Sequence, residues 1–179
     1  MTTETEILQL TNLEYISYLD NNGLLPEELQ NQIGVYAIFN QEKELQFVGY
    51  SRDIYLSLKQ HLVRKPDNCY WIKIQTITRP SRTILEEIKQ AWITENGVNL
   101  FASESEEKSW TDPIDAKIFI TEDEKQTYNN GDELSKMKLL KSLARRIETE
   151  IKQTLENRGS QLEIRFNPKL KEQGLLDLK

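Results

Sequence analysis

Gly34-Val-Tyr-Ala-Ile-Phe39, then Leu45-Gln-Phe-Val-Gly-Tyr50, then Ser51-Arg-Asp53 decide how this chain is read. The first run is short, β-branched and aromatic, which predicts a buried strand. Asn40-Gln-Glu-Lys43 is polar and short enough for a hairpin loop, so Leu45–Tyr50 is the returning strand. Ser51 and Asp53 are N-cap candidates. Ile54, Leu58 and Leu62 then recur every four residues, which predicts a helix over 54–64, stopped by Pro66-Asp-Asn68. Cys69-Tyr-Trp-Ile-Lys-Ile-Gln-Thr76 alternates in part and reads as a third strand. Ser81 caps a further helix with the stripe Ile84, Leu85, Ile88, Ala91 and Trp92, closed by Asn96-Gly97. The order β-β-α-β-α over 33–97 predicts an α/β core, a three-stranded sheet flanked by helices.

Outward from this core the pattern weakens. Residues 1–32 form an acidic N-terminal segment in which Leu8–Leu19 is mixed and Pro26-Glu-Glu28 suits the first turn of a short helix. Beyond the core, 98–179 reads as an acidic loop and a helical extension packed on it. Within it 102–115 is loop-like, Ala116–Thr121 a short strand, and Leu162–Phe166 a final strand before a tail from Pro168. Leu134, Met137, Leu140, Ala144, Ile147, Ile151 and Leu155 follow spacings of three and four, which predicts one long amphipathic helix.

The hairpin segments Gly34-Val35-Tyr36 and Phe47-Val48-Gly49 resemble the GIY and YIG segments of the GIY-YIG nuclease family. That family continues with Ser or Thr, Asn or Asp, an Arg-Leu pair and a His one turn later. Here Ser51, Asp53, Ile54, Leu58 and His61 fall in those places, and Ile84-Leu85-Glu86 is similar to the family's apolar-apolar-Glu element. The resemblance implies catalytic positions at Tyr36, His61 and Glu86, with Glu86 as ligand for Mg²⁺ wherever the protein is active. Two positions depart from it: Phe47 replaces a tyrosine and Ser57 an arginine. Phenylalanine has no proton to move, and serine carries no charge for a phosphoryl oxygen. Tyr50, Tyr55, Arg52, Lys59 and Arg82 are the substitutes at hand, Arg82 lying four residues before Glu86, the spacing of an ordinary surface ion pair.

Composition narrows the alternatives. The 179 residues hold one cysteine, Cys69, and one histidine, His61, so internal disulfides, CxxC knuckles and paired-His metal sites are excluded. The lone cysteine suits a cytoplasmic or equivalent reducing space. No apolar stretch approaches membrane-spanning length, and an acidic start is no basic leader, so no membrane partner is expected.

Net charge is −6, but it is uneven. Residues 1–33 carry six acids and no bases, 34–94 nine bases and six acids, 95–135 eleven acids and three bases, and 136–179 eleven bases and six acids. Arg52, Lys59, Arg64, Lys65 and Arg82 are therefore candidates for a local DNA or RNA patch in an acidic protein. Trp110, in the acidic segment, and the long C-terminal helix with Lys136, Lys138, Lys141, Arg145, Arg146 and Lys152 are candidates for protein contact. Pairing of that basic helix with the adjacent acidic segment is the alternative use of its charge.

Three functions compete on these residues. The leading expectation is a divergent nuclease-family protein with weak or absent catalysis, a pseudoenzyme that serves as a nucleic-acid or protein binding module. The second is an active metal-dependent endonuclease cleaving phosphodiester bonds. The third is a structural assembly factor without nucleic acid.

Overall fold

A computed structural model describes residues 5–97 and 99–179. The chain divides into two compact units, Met1–Trp110 and Thr111–Lys179. This boundary differs from the expected ones at 32/33 and 97/98.

The first unit is built on strands β1 (Ile16–Ser17), β2 (Ile33–Phe39), β3 (Leu45–Ser51) and β4 (Trp71–Ile77), with helices α1 (Ile54–Arg64) and α2 (Arg82–Asn96). The strands form one sheet in the order β1-β4-β2-β3, and every pair is antiparallel. The expected three-stranded sheet thus has four strands. Its extra edge, Ile16 and Ser17 paired with Ile72 and Trp71, comes from the mixed N-terminal segment. Two residues are too few for alternation to announce a strand.

Local chemistry explains the rest of this unit. Asn40 closes the β2–β3 hairpin by accepting from the Glu44 amide at 2.9 Å. Asp53 caps α1 through the Leu56 amide, Ser81 caps α2 through the Ile84 amide, and Gly97 ends α2 with φ 71°. Alternation along β2 then sorts the two faces. Val35, Ala37 and Phe39 pack with Val48, Leu85, Ile88 and Trp92 in a core against α2. Tyr36 points to the other face, toward α1. Leu10 joins the α2-side core, so residues of the expected separate N-terminal segment belong to this unit.

Helix α3 (Glu104–Thr111) occupies most of the stretch expected to be loop. The second unit contains β5 (Ile114–Asp115), α4 (Glu122–Asn130), α5 (Glu133–Asn157), α6 (Pro168–Lys171) and β6 (Leu175–Leu176), which pairs with β5. Ala116–Phe119 is a 3-10 turn, not a strand, and Phe166 makes only an isolated bridge to Leu178. The long helix is present. It buries Leu143, Ala144, Ile147, Ile151 and Leu155, while Leu134, expected on the stripe, is exposed. Arg146 on α5 pairs with Glu124 on α4 at 2.8 Å and donates to the Phe119 carbonyl at 2.9 Å. Part of the basic face is therefore spent on the acidic segment beside it in sequence.

Candidate functional site: a sealed aromatic cluster

The hairpin register sets Tyr36 opposite Gly49 and Ile38 opposite Phe47. Tyr36 and Phe47 thereby share the face covered by α1. The buried stripe Ile54, Leu58 and Leu62 seats α1 on the sheet and turns His61 inward. The Tyr36 hydroxyl and His61 Nε2 are hydrogen-bonded at 2.8 Å, and both residues are buried. Phe47 completes the group, its ring centroid 4.7 Å from that of His61.

Trp110 closes it. The indole of α3 stacks on Phe47 at 5.3 Å with planes 11° apart, and lies 5.9 Å from His61. Phe101 adds a further ring 6.2 Å from Phe47. Arg64 Nη1 donates to the Trp110 carbonyl at 3.1 Å, and Lys65 Nζ stands 5.8 Å from the indole centroid. Trp110 is only 3% exposed, which corrects the expectation that it projects toward a partner. No local pattern marks Trp110 or Phe101 as partners of this cluster, because both arrive from a distant stretch of chain.

Burial sets the protonation of the central pair. It raises the Tyr36 pKa well above the usual tyrosine range, with Ser57 and the Arg64 charge opposing it. Burial also lowers His61 to about 3, helped by the Arg64 charge and opposed by the Trp110 backbone. Both groups are therefore neutral at pH 7. A general base needs a pKa near the working pH and access to a proton. Neither condition holds for Tyr36 or His61.

The other candidate positions have structural partners. Ser57, in place of the family's arginine, donates to Ser51 Oγ at 2.7 Å, and Ser51 Oγ in turn accepts from the Asp53 amide at 3.0 Å. It braces the start of α1. Glu86 accepts from Gln90 Nε2 at 3.0 Å, and hydrogen bonds from Gln90 and Tyr50 hold its carboxyl below the ordinary range. Tyr50 pairs with Val35, on the α2 side of the sheet, so Glu86 is not drawn into the Tyr36–His61 cluster. Among the described residues no group of three or more His, Cys, Asp or Glu is arranged to hold a metal ion.

Arg52 and Arg82 are exposed and share a hollow with Tyr50, Ser51, Pro80, Ser81 and Leu85. Lys59 is half-buried, and Arg64 and Lys65 turn toward Trp110. Cys69 is fully buried, with Sγ 3.7 Å from the His61 carbonyl.

Gly49 has a packing role that the strand pattern does not show. A Cβ there would stand 2.8 Å from the Tyr36 hydroxyl and 2.7 Å from Phe47 Cε1. Gly49→Ala must displace the buried Tyr36 ring, so it is expected to cost about 1–3 kcal/mol of stability. It should also break the Tyr36–His61 bond. Denaturant unfolding checks the first, and the His61 ring resonances check the second.

No family model matches this sequence. The chain is 33% identical over 94 residues to bifunctional monothiol glutaredoxin-S16, chloroplastic, of Arabidopsis thaliana. The match takes in 52% of this chain but spans only 28% of that relative's length. No described helix is long and apolar enough to cross a membrane. The relative is named for a glutaredoxin and not for a nuclease. On that finding the expectations of GIY-YIG family membership, of an endonuclease or a pseudoenzyme derived from one, of DNA binding on that basis, and of Mg²⁺ at Glu86 are corrected and withdrawn.

Proposed function

We propose that this chain is a companion module of monothiol-glutaredoxin chemistry, working beside such an enzyme without presenting the thiol itself. The relative's name joins a monothiol glutaredoxin with the word bifunctional, and this chain spans 28% of it. Thiol–disulfide exchange begins with an accessible thiolate. The observation that carries the reading is Cys69: it is the sole cysteine, it is 0% exposed, and its Sγ faces the His61 carbonyl.

The architecture agrees. A thioredoxin-like redox motif is a CxxC beside a parallel βαβ unit. This chain has no CxxC, and its four-stranded sheet is antiparallel throughout. One buried thiol fits neither a glutathione adduct nor a cysteine-held cluster, so no step is routed through either. The partner is a protein bearing a monothiol glutaredoxin domain. The docking surface assigned to it is the outer side of α5, where Lys138, Arg145 and Lys152 are exposed. The compartment is a reducing one, in keeping with a lone buried cysteine.

Native Cys69 is expected to react with a thiol reagent at least ~100-fold more slowly than in the unfolded chain, because reaction waits on opening of the core. The chain alone should not reduce a glutathione mixed disulfide. Calorimetric titration should show it binding a monothiol glutaredoxin domain, with weaker binding for Lys138→Glu with Arg145→Glu. A fast thiol with glutathione-dependent turnover would sink the proposal, as would no association at high micromolar concentration.

A further inference from the structure

Residues 6–10 lie as an extended strap over the α2 side of the sheet, held in an unusual way. Gln75 accepts from the Leu8 amide at 3.1 Å and donates to the Glu6 carbonyl at 2.6 Å. Trp92 Nε1 donates to the Leu8 carbonyl at 2.9 Å. Glu95 accepts from the Leu10 amide at 2.8 Å, and Lys73 Nζ donates to the Leu10 carbonyl at 3.0 Å. Alternate residues of the strap thus offer their main-chain groups to one side, as a strand does to its neighbour. Here the neighbour is a row of side chains from β4 and α2.

This explains a local contradiction in β4. Lys73 and Gln75 pair with Ala37 and Val35, which belong to the apolar core, yet they are themselves polar and are 5% and 7% exposed. Buried polar groups require partners, and the strap's main chain supplies them. An empty groove would leave an ammonium, an amide and an indole N–H without them. The strap's own side chains matter less: Ile7 and Leu8 are 41% and 38% exposed. Leu10 alone is buried, in the core beside Trp92. Just past it the chain turns away in a 3-10 turn, and a cavity of about 530 Å³ opens among Tyr15, Phe39, Lys43, Lys73 and Glu95.

We infer that this groove is a site for an extended peptide, read through its main chain and one leucine anchor, and that the N-terminal strap is its resident occupant. A peptide from another protein that offers the same alternating main-chain groups and a leucine displaces the strap and continues into the open cavity. The inference is independent of the glutaredoxin partnership. Strand addition of this type takes affinity from main-chain hydrogen bonds and specificity from pockets for single side chains.

The test uses a fluorescein-labelled peptide of residues 5–13 and the full chain carrying Leu10→Asp, which cannot seat its own anchor. Fluorescence anisotropy should show the variant binding the peptide at least about tenfold more tightly than wild type, where the tethered strap competes at millimolar effective concentration. A peptide N-methylated at the amides of residues 8 and 10 should not bind. A folded variant that ignores the peptide overturns the inference, and so does equal binding of the methylated peptide. A dimer of wild type that Leu10→Asp abolishes assigns the groove to a second copy's strap and overturns it too. If the variant does not fold, hydrogen exchange on wild type decides. The Leu8 and Leu10 amides should exchange at least ~100-fold faster than the amides of Ala37 and Ile72, by opening of the strap alone. Exchange of all four only on global unfolding rejects a displaceable strap.

Discussion

Trp110→Ala is expected to destabilise the Met1–Trp110 unit by about 3–5 kcal/mol, the usual cost of deleting a large buried aromatic side chain. The loss has identifiable parts. The indole stacks on Phe47, flanks His61, and is almost wholly removed from water. Alanine leaves a cavity above Phe47, and water entering there reaches the imidazole. His61 is held near pKa 3 mainly by burial, so its pKa should climb back toward the ordinary value near 6.5. Denaturant unfolding measures the first effect and a histidine-resolved NMR titration the second. A loss under about 1 kcal/mol with His61 still silent above pH 4 would show that Trp110 does not seal the cluster.

The second large effect is acid sensitivity. In the fold His61 takes a proton only near pH 3, whereas in the unfolded chain it does so near 6.5. Between those values the unfolded state binds more protons, so stability falls as pH falls. The slope from this one residue approaches about 1.4 kcal/mol per pH unit in the middle of the window. Tyr36 and the Arg64 charge face the imidazole, and Tyr36 stays neutral throughout the window. Several carboxyls elsewhere, Glu86, Glu124 and Asp132, also sit below their ordinary range and lose stability in acid. The comparison that isolates His61 is therefore wild type against His61→Gln, which keeps a hydrogen-bond partner for Tyr36 but cannot titrate. The stability difference between the two should shrink or reverse from pH 7 to pH 4. Parallel curves would show that His61 is not buried neutral.

The same cluster changes the meaning of the sequence motif. Tyr36, Phe47, Gly49 and His61 converge on one face of the sheet. What spacing did not disclose is their lid. Trp110 and Phe101 come from residues forty or more positions beyond His61 and turn an open-looking face into dry packing. Glu86 was legible as a helix carboxylate beside an apolar pair. Its neighbours Gln90 and Tyr50 were not, and they place it away from Tyr36.

Single residues and short patterns decided the hairpin, the caps of α1 and α2, the αL glycine that ends α2, and the long helix α5. Each depends on neighbours within a turn or a loop, where propensity, capping and periodicity act directly on the chain. The lone cysteine and lone histidine likewise removed whole classes of chemistry before any fold was known. The edge strand β1, the seating of Trp110 of α3 on Phe47, and the side-chain row that grips the N-terminal strap were decided only in three dimensions. Their stabilising contacts join residues 46 to 85 positions apart. At such separations no local preference signals the pairing, and it forms only once the sheet and α2 have placed both partners.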